Sequence, residues 1–323
     1  TAVWLTVFCV VNGLVHLSFI NDSASLMGIA IIHSVFNILC TIILFPFANQ
    51  LEKLACFIIR DAKVGDAEEI LDTRLMATPS IALEQCKKVV KSMFEKTELG
   101  VVEACNMLIN YSDKTMEEVV SLEKKVDKYE DQLGTYLVQI SKQNLSEQDS
   151  REVSEILHII GDVERISDHS VAIAKSAQEI SGKKLKFSNQ AEGEITVMIK
   201  AVKEILQESK NAFLEDDANL AMDVEAMERV IDKLKHQLKK RHVDRLKKGE
   251  CTIEHGFVMT DIITSLERIS DHCSNIASCV EEIGHGSLDI HAYNRDIRRD
   301  ETNEFRSIYE KYKEKYSLEK RII

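Results

Sequence analysis

The chain opens with two stretches that are almost wholly apolar, and from about residue 81 onward apolar and charged positions alternate with a helical period. Thr1–Ile20 carries no charge, Asn21-Asp22-Ser23 reads as a turn, and Ala24–Ala48 is a second uncharged run. At 1.5 Å per residue the two runs reach about 30 and about 37 Å, enough for a bilayer core of about 30 Å. The pattern predicts a transmembrane helical hairpin within 1–60. A signal peptide fits poorly, because there are two runs and no basic leader; a buried hairpin of a soluble protein is the alternative. His33 and Asn37 are four apart and share a helix face, so they are expected to meet polar groups of helices outside this chain.

Residues 61–80 form a polar linker ending at Thr78-Pro79-Ser80. Breaks in the helical period near 110–114, 141–147, 181–189, 214–219, 247–250 and 284–287 then delimit six helices. They fall into two groups of three, 81–180 and 190–283, within a domain of 81–287, and 288–323 is a charged helical tail. Glu-Arg-Ile-Ser-Asp-His occurs at 164–169 and again at 267–272, and Met93, Glu123 and Asp127 recur as Met198, Glu228 and Asp232. The fold class is therefore all-α: a membrane hairpin followed by a tandem pair of three-helix bundles. With only two prolines in 323 residues, the composition agrees.

The net charge of −12 lies entirely beyond residue 60. It repels phosphate backbones, which excludes nucleic acid as a partner, and it suits cations. The eight cysteines include no C-x-x-C, so a thiolate zinc site is not expected and the thiols read as reduced. Lys53, Arg60 and Lys63 follow the second apolar run, which by the positive-inside rule predicts a multi-pass plasma-membrane protein with 61–323 cytoplasmic. The chain begins with Thr, so it reads as a piece of a longer protein.

Each repeat holds two E-x-x-x-D pairs: Glu123/Asp127 and Glu164/Asp168 in the first, Glu228/Asp232 and Glu267/Asp271 in the second. Spacing of four puts both carboxylates of a pair on one helix face. The two pairs of a repeat lie at matching distances on either side of a predicted turn. Each antiparallel hairpin should then bring four carboxylates together beside its apolar seam. Such a set requires cations, supplied either by hard or borderline metals or by Arg165 and Arg268 acting internally. His169 and His272 follow the pairs directly and, one residue on, should point aside. Asn275, one turn after Asp271, is a further candidate ligand; Ala172 stands at its place in the first repeat.

The helices holding SLEKKVDKYEDQL with DVERISDHSVAIA, and AMERVIDKLKHQL with SLERISDHCSNIA, resemble the PhoU domain. The front of the chain, AIIHSVFNILCTIILFPF with LDTRLMATPSIALEQ, and the tail FRSIYEKYKEKYSLEKR resemble the end of bacterial sodium/phosphate cotransporters of the type II-related family. The resemblance implies a six-helix array with multinuclear metal clusters on the eight acids named, iron foremost, with zinc, magnesium or manganese as alternatives. It implies a regulatory, non-enzymatic part in phosphate transport, with 1–60 as the last transporter helices. Sodium and phosphate are bound by helices missing here, since the family's glutamine-serine signature is absent. A homodimer is a further expected partner. Two alternatives stand beside this reading: a metal-free helical scaffold for docking or dimerisation, and a di-iron oxidase built on Glu155/His158 and Glu282/His285.

Overall fold

The computed structural model of the protein describes residues 13–14, 26–44, 46, 71–285 and 303–318. The chain divides into two compact units, Thr1–Glu68 and Glu69–Ile323. In the first, α1 spans Leu26–Leu44. In the second, a 3-10 turn at Thr73–Ala77 leads into α2 (Pro79–Met107), α3 (Asp113–Ile140), α4 (Glu147–Lys183), α5 (Asn189–Glu215), α6 (Ala218–Lys247), α7 (Ile253–His285) and α8 (Asn303–Lys315). No strand occurs among the described residues.

The first run of the expected transmembrane hairpin lies outside the described residues but for Gly13 and Leu14. The second holds α1, 19 residues and about 28 Å long, and the rest of that run, but for Pro46, lies outside the described residues. Among the described residues no helix is long and apolar enough to cross a membrane. This overturns the multi-pass plasma-membrane location and the cytoplasmic placement of 61–323 that depended on it. His33 and Asn37 share one face of α1. They meet each other, Asn37 Nδ2 to His33 Nδ1 at 3.2 Å, on the exposed surface of α1.

The turns of the second unit follow from local chemistry. Ser112, Ser146 and Ser188 accept hydrogen bonds from the backbone N–H three residues on, and Asp217 from that of Asn219, capping α3, α4, α5 and α6. Helices α4 and α5 end on left-handed residues that are not glycine, Lys184 (φ 53°) and Asp216 (φ 52°). Pro79 sits in the first turn of α2, where its missing N–H costs nothing.

Each repeat buries one apolar stripe per helix. Val119, Val126, Leu133 and Ile140 of α3 are fully buried, as are Leu83, Val90 and Phe94 of α2. The most extensive contact joins α4 to α7, the third helices of the two repeats. There the duplicated hexapeptides meet, with the rings of His169 and His272 stacked, centroids 5.8 Å apart. Helix α8 lies on α6, burying Phe305, Tyr312, Tyr316 and Leu318.

Candidate functional site: a carboxylate array in two unequal halves

In the first repeat the antiparallel packing of α3 and α4 brings the two pairs together. Burial, then Asp168 and Asp127, push the Glu123 carboxyl above its ordinary range. Burial, then Asp168, raise that of Glu164, with Glu130 and Asp127 adding to the shift. Glu123 therefore lies near Asp168, and Glu164 near Glu130 and Asp127. Glu130 joins them as a fifth carboxylate, itself raised by burial and by Asp131 and Asp127. Sequence reasoning missed Glu130, although its place three residues after Asp127 was the available signal. Arg165 offers partial relief, 3.5 Å from both Glu164 and Asp168, but its side chain is 63% exposed. A pair so exposed contributes about 1 kcal/mol at most.

The second repeat carries a charge of opposite sign at one place. At the offset of 105 that relates Glu123 to Glu228, Glu130 corresponds to Lys235. Lys235 is ion-paired with Glu267 and stands 3.5 Å from Asp232. Its ammonium sits between the two pairs, where a bound cation would sit. Arg268 adds a contact to Asp271 at 3.2 Å, and His236 lies 3.7 Å from Asp232. Asp271 is still raised, by burial and by Glu267. Glu228 lies with Asp232 along a groove between α6 and α8, opposite Arg306, Tyr309 and Glu310.

Asn275 stands apart from the second-repeat pairs. Its Nδ2 donates to Asp162 Oδ1 at 3.1 Å, and His272 Nδ1 meets the same oxygen at 2.8 Å. In the other half Ser265 stands at the place of Asp162 and Ala172 at that of Asn275, so this bridge between α4 and α7 exists once. His169 has no such acid, and burial, then His272, lower its pKa. Both histidines face the repeat interface.

The donor set can be tested against a metal. The first-repeat acids are all oxygen donors whose mutual repulsion is incompletely neutralised, which fits hard and borderline cations. The second set is closed by Lys235. Among the described residues no three His, Cys, Asp or Glu side chains converge closely enough to hold an ion. Metal would thus require side-chain rotation to draw the first set inward. Glu155, from the oxidase alternative, is buried in a groove with Phe213 and Asp216 and pushed up to about 7 by burial and by Asp216. The side chains of Glu282 and His285 lie outside the described residues.

Comparison with known proteins follows the same boundaries. The sequence profile of the PhoU domain matches residues 90–177 and 195–280. A phosphate-specific transport system accessory protein PhoU homolog of Thermotoga maritima is 32% identical over 133 residues, 41% of this chain and 56% of that protein. YjbB of Escherichia coli, named for inorganic phosphate export, is 22% identical over 292 residues, 85% of this chain and 53% of that protein. The chain thus spans about half the length of these relatives. The crystal structure of PhoU from Pseudomonas aeruginosa superimposes with a TM-score of 0.60 at 24% identity, covering 64% of this chain and 98% of that one. That likeness shows the fold.

Proposed function

The chain belongs to the PhoU domain family, and from that premise we propose that its helical array regulates inorganic phosphate transport by binding cations, without catalysing a reaction. The observation that carries this reading is the first-repeat cluster, in which Glu123, Asp127, Glu130, Glu164 and Asp168 crowd one hairpin and the carboxyls of Glu123, Glu130 and Glu164 stay raised despite the nearby Arg165, Lys124 and Lys175. Two of the relatives support the phosphate assignment by name. Glu123, Asp127, Glu164 and Asp168 would hold the metal, with Glu130 completing the charge. Iron is the first choice, then zinc, magnesium or manganese. The ion would supply positive charge that removes the repulsion across α3 and α4 and stiffens their packing, so that metal occupancy becomes a property of the whole bundle. The transporter it informs is a carrier of inorganic phosphate, and the finer reading makes that carrier sodium-coupled, with sodium and phosphate bound elsewhere than on these carboxylates.

Elemental analysis of the purified chain tests the reading, beside a Glu123→Gln/Asp127→Asn/Glu164→Gln/Asp168→Asn variant. Bound metal in the parent, lost in a variant that keeps its helical content, is the expected result. Saturating metal should also raise unfolding free energy, by about 2.7 kcal/mol at a hundred times the dissociation constant. The opposed reading is a metal-free scaffold for docking or for a second copy, and Lys235 favours it by neutralising the second repeat from within. Absence of metal in both proteins after reloading would leave the scaffold as the answer.

A further inference from the structure

The end of the bundle where α6 turns into α7 carries an exposed apolar cap. Leu246 is the next-to-last residue of α6 and Val243 lies one turn before it, while Ile253 and Phe257 occupy the first turns of α7. They are 36%, 46%, 65% and 68% exposed. All four lie within about 7 Å, along the helix axes, of the point where the chain reverses.

The charge of this end is opposite to that of the chain. The α4–α5 loop lies against it: Phe187 packs edge-on against His255, ring centroids 5.6 Å apart, and the Lys186 carbonyl meets His255 Nε2 at 3.2 Å. Lys184, Lys186, Lys240, Lys247 and Lys248 are exposed around the cap, and no ion pair joins them to other described residues. Glu192, Asp244 and Glu250 are the acids there that no ion pair joins to other described residues, and Lys183 is shared between Glu179 at 2.8 Å and Glu254 at 3.0 Å. Five such lysines thus stand beside three such acids in a protein of net charge −12. The carboxylate pairs of the same two helices stand about 14 residues away, roughly 21 Å. That exceeds two Debye lengths of about 8 Å at physiological ionic strength, so their repulsion scarcely reaches the tip.

We propose that this tip docks on an anionic lipid surface. Phenylalanine and branched aliphatic side chains enter the headgroup boundary, and the lysines around them keep their ammonium groups at the phosphates while their stems cover apolar surface. A bilayer boundary takes up exposed apolar side chains without requiring a shaped partner surface. The contact lies on the surface and requires no spanning helix, and it does not depend on metal at the carboxylates.

The full chain contains one tryptophan, Trp4, which allows a reporter specific to the tip. In a Trp4→Phe background, Phe257→Trp places an indole at a position that is already exposed. Vesicles containing phosphatidylglycerol should shift its emission to the blue, and bromine-labelled acyl chains should quench it. Vesicles of phosphatidylcholine alone should leave it unchanged. Lys247→Gln/Lys248→Gln should weaken the vesicle affinity read by this shift about thirtyfold, at roughly a factor of five per lysine. Unchanged emission with anionic vesicles, even when the protein sediments with them through another segment, would overturn the proposal. So would an equal shift with phosphatidylcholine, and so would a shift with polyglutamate but none with vesicles, which would assign the tip to an acidic polypeptide.

Discussion

Glu155 shows how far one residue can leave its ordinary chemistry. It is 8% exposed on α4, and its carboxyl is pushed to about 7, chiefly by burial and next by Asp216, with Lys87 opposing. The folded protein therefore binds a proton on Glu155 more tightly than the unfolded chain does. The stability it contributes is fully present below the ordinary value of 4.5 and is lost as pH rises through about 7. A shift of this size corresponds to about 3 kcal/mol. Glu155→Gln should match the parent at pH 5 and exceed its unfolding free energy at pH 8 by about 2–3 kcal/mol. Denaturant titrations at both pH values check this, and equal stability at pH 8 would show that Glu155 is solvated. A contrasting buried acid is Glu194, which meets Arg245 at 2.9 Å and Arg241 at 3.1 Å. Removing it strands a guanidinium that is only 7% exposed, so Glu194→Ala should cost about 3–5 kcal/mol at neutral pH in the same titration.

At the scale of the element, the helices were legible because their apolar period runs unbroken between serine and aspartate caps. Helix α4 starts after Ser146 and α5 after Ser188, as the polar breaks imply. The C-terminal ends were less sharply marked, because α4 and α5 stop on Lys184 and Asp216, where the usual glycine is absent. A Cβ in that conformation costs about 1–2 kcal/mol, partly offset by the stiffer unfolded chain. Lys184→Gly should therefore raise stability by about 0.5–1 kcal/mol, or a few degrees in Tm, whereas Lys184→Ala should not. Thermal unfolding of the two variants together separates the backbone effect from loss of the lysine. Helix α1 lies within the second apolar run, and among the described residues no helix is long and apolar enough to cross a membrane.

The whole molecule is a duplication whose halves have diverged at their centres. Proximity of the acids across the first hairpin could be read from arm lengths, because helix rise is fixed. The charge at the middle of each cluster could not, because it depends on which third helix-face position closes the set. Glu130 and Lys235 stand at equivalent places, yet one adds to the repulsion and the other cancels it. Asn275, expected beside Asp271 as a ligand, instead meets Asp162 of the other repeat, which no periodicity within one helix reveals. If the ammonium of Lys235 is what occupies the cation position, then Lys235→Glu should convert the second repeat into a copy of the first. Without metal this variant should be less stable, since Glu267 is only 8% exposed and would lose its counter-ion. With metal the deficit should shrink, and the bound metal per chain should rise above that of the parent. The reciprocal Glu130→Lys should stabilise the metal-free protein and reduce its metal content. Metal analysis and unfolding curves for both variants decide the matter: if Lys235→Glu loses stability and gains no metal, Lys235 is a structural counter-ion alone and the second carboxylate set has no ion to exchange.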